Sequence, residues 1–180
     1  MSDIELFYSY SHKDEALKDQ LVQSSEQSEA PGGHPRMARP QIGSGTEWVK
    51  EIDEHLNSAE VILLLISSDF IASEYCHEIE MKRATERHES GEARVIPVIL
   101  RSVDWSGLIF SKLQAAPNDG APVTKWADCD EGFMNVAQAI RAAVAELTRR
   151  KKESGAKSKA RFFMPSILTA AATNATGRSL

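Results

Sequence analysis

The sequence predicts an α/β domain, a parallel sheet with helices on both faces, and three features of the 180-residue chain predict it. Two runs of strand length, residues 61–66 and 94–100, are almost wholly apolar, as strands covered on both sides are. Stretches of helical period alternate with them, the pattern of a doubly wound sheet. The composition, 42% apolar and 26% charged, supplies one good core and leaves little from which to build a second.

Taken in order, residues 4–10 (Ile-Glu-Leu-Phe-Tyr-Ser-Tyr) mix apolar and β-prone residues and suit an opening core strand. A Ser-His-Lys-Asp loop leads to a helix from about Glu15 to Leu21. From Gln23 to Pro40 the chain turns to Ser, Gln, Gly and Pro, and no strand can be placed there. Thr46 can cap a helix whose apolar positions Trp48, Ile52 and Leu56 recur every four residues, beside Val49. The strand 61–66 follows, closed by Ser67-Ser68-Asp69, and a helix from about Ala72 to His88 ends at Gly91.

Pro97 offers no ladder donor, so the strand 94–100 belongs at an edge or carries an irregularity. The last helix sets Phe133, Val136, Ile140, Val144 and Leu147 on one face. The domain is therefore expected over residues 1–148. Residues 149–180, with a basic cluster opposed only by Glu153 and an ending of small residues, are expected to form a disordered tail.

Charge and targeting narrow the function. A net charge of −5 argues against a surface built to neutralise phosphates, so no nucleic-acid partner is expected. No basic-then-apolar leader opens the chain and no apolar stretch nears the roughly 20 residues of a bilayer span, so a cytoplasmic protein is expected. Cys76 and Cys129 lack metal-ligand spacing and read as small core residues.

Five blocks in order carry a resemblance: Phe7-Tyr-Ser-Tyr-Ser-His-Lys-Asp14, Gly45-Thr-Glu-Trp-Val-Lys-Glu-Ile52, Leu63-Leu-Leu-Ile-Ser-Ser-Asp-Phe70, Ser73-Glu-Tyr-Cys76 and Ala93-Arg-Val-Ile-Pro-Val-Ile-Leu100. Together they resemble the bacterial TIR (Toll/interleukin-1 receptor) domain family. The resemblance implies a flavodoxin-like fold with a five-stranded parallel sheet and two roles. One is self-association in signalling. The other is cleavage of the nicotinamide glycosidic bond of NAD⁺, often in defence against phage, with NAD⁺ as substrate and no further cofactor.

In that family one glutamate on the helix after the central strand is catalytic. Of Glu74, Glu78 and Glu80, the second runs with Glu74 and Lys82 as a charged stripe, whereas Glu80 lines up with Cys76 and Ala84. A carboxylate held against protein can be aimed and is less freely solvated, which makes Glu80 the candidate and Glu78 the alternative. The resemblance further implies substrate contacts by Tyr75 and Trp48, and Ser9, Tyr10 and Ser11 end the first strand at the edge where open α/β sheets bind ligands. Trp48 equally heads the apolar line of its helix, and the strand-end serines equally suit ordinary polarity.

Other chemistries fit less well. Cys76 and His77 point about 100° apart on a helix and cannot act as a nucleophile pair. A receiver would need an aspartate where Ser67 ends its strand, and a flavin module a better phosphate loop than Ser11-His-Lys-Asp14.

The family's second strand and its Trp-His-Asp-Arg box are replaced here by Met37-Ala-Arg-Pro40. Read one base later, codons for those residues give Trp-His-Asp-Arg, so residues 24–41 are proposed to be a frameshifted segment. Sequencing the gene against near relatives tests this; a relative with the same Ser/Gly/Pro stretch would sink it. An altered segment there would weigh toward a non-enzymatic interaction module.

Overall fold

The computed structural model describes residues 4–26, 36–37, 54–72 and 79–162, apart from the side chains of residues 26, 36, 37, 79, 80, 119 and 155–162. The elements are strand β1 (Glu5–Ser9), helix α1 (Glu15–Glu26), strand β2 (Arg36–Met37), strand β3 (Val61–Ile66), helix α2 (Ser68–Ala72), helix α3 (Ile79–Glu89), strand β4 (Arg94–Ile99) and helix α4 (Cys129–Phe162). All the strand pairs are parallel and the order is β2-β1-β3-β4.

Period-two alternation explains the two-sided core. On β1 and β3, Leu6, Tyr8, Val61, Leu63 and Leu65 join Leu21 of α1 and Phe133, Val136 and Ile140 of α4. Their neighbours Phe7, Ile62, Leu64 and Ile66 join Leu56, Phe70, Met81, Ala84 and Phe110 on the opposite side. Every residue of β3 is buried to 0% exposure, which makes it the central strand. At about 1.5–3 kcal/mol for each fully buried side chain of this size, β3 contributes more to stability than any other segment of its length.

The expected face of α4 is buried as read: Phe133, Val136 and Ile140 fully, Val144 and Leu147 in part. Gly91 stands at φ 77° in the turn leaving α3, a left-handed conformation that costs glycine little. Arg87, near the end of α3, donates from Nη1 to the carbonyls of Leu56 and Ala59 (2.7 Å to the latter), satisfying the end of the helical turn 54–58. Arg87→Ala strands both carbonyls, and we expect urea unfolding to show a loss of about 1.5–3 kcal/mol, partly restored by Arg87→Lys.

Two readings are corrected. A strand does occur within residues 23–40: Arg36 and Met37 pair in parallel with Glu5 and Leu6. Two residues are too short for a hydrophobic pattern to announce them. Of the five parallel strands expected, four lie among the described residues, and a single parallel bridge between Val98 and Ala116 extends the sheet beyond β4. The basic stretch expected to be disordered is helical as far as Phe162, because Lys, Arg, Ala and Glu all favour a helix. Contacts divide the chain into two compact units, Met1–Thr148 and Arg149–Leu180.

Pro97 lies on β4, which has only Ala116 beyond it in the described sheet, as its missing donor requires. The outward-directed donors of β4 are nonetheless met. Val95 N–H donates to His88 Nδ1 at 3.1 Å, Ile99 N–H to the Ala116 carbonyl at 2.9 Å, and Ala116 N–H to the Pro97 carbonyl at 2.8 Å. His88 is correspondingly held below the usual histidine range by its burial and by the charge of Arg94.

Candidate functional site

The chain leaves β1 toward β2 on one side and leaves β3 toward β4 on the other, so the connections diverge above the carboxyl ends of this adjacent pair. That divergence opens the crevice in which doubly wound sheets hold ligands. Ser9, in register with Leu64 and 5% exposed, brings β1 to this edge, and Tyr10 and Ser11 continue from it half-buried. The Tyr10 ring packs against the core, with Lys18 Nζ 5.0 Å from its centroid.

Beside them lies a polar network that joins three strand ends. After β1 the chain turns through His12–Asp14 in one 3₁₀ turn, closed by Asp14 N–H donating to the Ser11 carbonyl at 2.8 Å. This turn buries Asp14 to 1% exposure. Ser67, directly after β3, donates its hydroxyl to Asp14 Oδ2 and accepts the Phe70 N–H at 3.0 Å, starting α2.

Arg101, just past β4, places Nη2 2.7 Å from Asp14 Oδ1 and also bonds Asp69. Lys13 completes the set at 2.8 Å from Asp69 Oδ1. Two carboxylates and two cations balance, so the buried Asp14 charge is compensated. None of these groups was singled out in the sequence as a site residue. Ser67 and Asp69 were noted at the end of a strand and within a family-like block, without a site role, and Arg101 carried no local signal at all.

Electrostatics follow the contacts. Hydrogen bonds from Lys13 and then Arg101 hold the Asp69 carboxyl below the usual carboxylate range, and Asp69 in turn raises Arg101. A depressed folded-state value means that Asp69 contributes stability above its unfolded value near pH 4, lost as pH falls through the lower folded value. We therefore expect Asp69→Asn to flatten the acid limb of the stability curve below about pH 4, followed by urea unfolding across a pH series.

Of the expected site residues, the structure brings Ser9, Tyr10 and Ser11 together at the carboxyl edge. Glu80 lies in the first turn of α3, in the crossover from β3 to β4. A helix returning from one parallel strand to the next starts at the carboxyl edge, the edge that Ser9–Ser11 occupy. Along α3, Ala84, four residues beyond Glu80, is fully buried, whereas Lys82 and Glu86, four and eight beyond Glu78, are exposed. Trp48 and Tyr75 lie outside the described residues, as does Glu78.

A cavity of about 440 Å³ lies elsewhere, lined by Arg94–Ile96, the stretch 112–116 and α4 residues such as Gln138 and Glu146. Among the described residues no group of three or more His, Cys, Asp or Glu could hold a metal ion. Cys129 is half-buried and unpaired. No helix of the described chain is long and apolar enough to cross a membrane.

A parallel β2-β1-β3-β4 sheet with a crevice above β1 and β3 defines a flavodoxin-like α/β module. Comparison then fixes the family: a TIR domain model matches residues 6–147, and the chain belongs to the TIR domain family. It is 48% identical over 155 residues to the uncharacterized protein y4lF of Sinorhizobium fredii, covering 86% of this chain and 48% of that protein. The chain thus spans about half the length of the curated relative it matches. Among solved structures, it is similar to the TIR domains of the activated Roq1 resistosome that recognizes the effector XopQ. There the sequence identity is 20%, coverage 77% of this chain and 84% of that one, and the TM-score 0.43.

Proposed function

We propose that this TIR domain cleaves the nicotinamide glycosidic bond of NAD⁺ when copies of it associate, with Glu80 as the catalytic carboxylate, in signalling or defence. The observation that carries the reading is the convergence of two sequence blocks on one edge. The end of β1, Ser9–Ser11, and the helix start that bears Glu80 belong to the same carboxyl side of the sheet.

The chemistry asks little of the protein. The C–N bond breaks with its electron pair going to nicotinamide, which leaves neutral, while positive charge gathers on the ribose. A carboxylate fixed beside that carbon stabilises the charge, and water adds to it and gives up a proton, yielding ADP-ribose. An internal nucleophile in place of water would give a cyclic product. Ser9, Tyr10 and Ser11 are the substrate-binding side of the proposal, with Trp48 and Tyr75 as its aromatic contacts.

The test is to incubate the purified chain with NAD⁺, concentrated and with a crowding agent to promote association, and to follow free nicotinamide. Release that is lost in Glu80→Ala and kept in Glu78→Ala supports the proposal. A folded chain that releases none under any degree of clustering would defeat it and leave a non-enzymatic interaction module.

A further inference from the structure

The charges of this chain are segregated along its length. Residues 1–148 carry thirteen Lys and Arg against twenty-five Asp and Glu, whereas residues 149–180 carry eight basic residues against Glu153 alone. A net charge of −12 is thus followed by one of +7. The break coincides with the boundary of the second compact unit at Arg149.

Helix geometry decides how that charge is displayed. Arg149, Arg150, Lys151 and Lys152 are successive, exposed, and about 100° apart, so cations surround the whole circumference. Lys157, Lys159 and Arg161 come later on the same helix. Glu153 is 3.9 Å from Arg149 with both side chains well exposed, a weak pair.

We propose that Arg149–Phe162 is a binding helix for the surface of an anionic lipid bilayer. Long-range attraction is supplied by the cations. A bilayer is favoured over another polyanion because Phe162-Phe-Met-Pro-Ser-Ile-Leu168 places two aromatics and further apolar residues directly after the last cation of the helix. Aromatic and apolar side chains next to a polybasic stretch partition into the headgroup region, which gives binding a component that salt does not remove. The acidic residues 1–148 are repelled by the same surface, so capture would be confined to this segment.

The full chain is to be sedimented with vesicles of phosphatidylcholine alone and of phosphatidylcholine mixed with phosphatidylserine. Binding is expected only to the mixed vesicles. Changing Arg149, Arg150, Lys151 and Lys152 together to Gln, which keeps helical propensity, should weaken it by about a hundredfold or more. Phe162→Ser with Phe163→Ser should remove the binding that persists at high salt. The proposal is overturned by absence of binding, by equal binding to both vesicles, or by an unchanged serine variant. Tighter, charge-dependent capture of a DNA duplex at the same salt would equally overturn it.

Discussion

Glu80→Ala is expected to reduce nicotinamide release from NAD⁺ by at least about 10²–10³-fold, the usual loss when a group aimed at transition-state charge is removed. The charge it would stabilise exists only while the glycosidic bond is breaking, so kcat should fall with little change in KM. Unfolding of the variant should match that of the parent, since a residue in the first turn of a helix gains propensity on changing to Ala. Glu78→Ala is the control that separates helix registers. Its line continues to exposed Lys82 and Glu86, and its loss should leave turnover within about twofold, a surface effect of a few tenths of a kcal/mol. Single-turnover and steady-state nicotinamide assays on the three proteins decide between these outcomes.

The second large effect is on stability. Asp14→Ala removes the one carboxylate that faces Ser67 and Arg101 together and leaves a buried hydroxyl and a guanidinium short of partners. Leaving the buried Ser67 hydroxyl without its acceptor costs about 1–3 kcal/mol, a sizeable part of the 5–15 kcal/mol that holds a domain folded. Asp14→Asn, which keeps the shape and a carbonyl acceptor, should cost distinctly less. Arg101 retains 35% exposure of its side chain, so water compensates part of its loss, and Arg101→Gln should be milder than Asp14→Ala. Urea unfolding of the three variants and of the Asp14/Arg101 double variant measures the coupling, which a solvent-screened contact would not show.

How much of this was legible in the sequence depended on the range over which each signal acts. Val61–Ile66 and Arg94–Ile99 could be read because six apolar residues in a row have no use on a surface. Pro97 went further and called for an edge position or a local irregularity from one missing N–H. By contrast, β2 is two residues long, and the extension beyond β4 is one bridge at Ala116, so neither offers a period to detect.

The helical line through Glu80 and Ala84 is local and could be drawn in advance. The network around Asp14 could not, since Ser67 is 53 residues away from Asp14 and Arg101 is 32 from Asp69. Only the order of the strands brings them together. Trp48 and Tyr75 were singled out by resemblance and lie outside the described residues, and their place in the site rests on that resemblance.

The outer side of β4 has a consequence for how copies of this protein can meet. Another chain extends a sheet by hydrogen bonding to the unpaired donors and acceptors of its last strand. On β4 those outward donors belong to Val95, Pro97 and Ile99: the first is taken by a histidine ring, the second does not exist, and the third is taken by Ala116. Strand addition at β4 therefore finds none of these three donors free. The histidine makes this conditional: as acid protonates His88 its Nδ1 ceases to accept, and Val95 N–H becomes available to another strand.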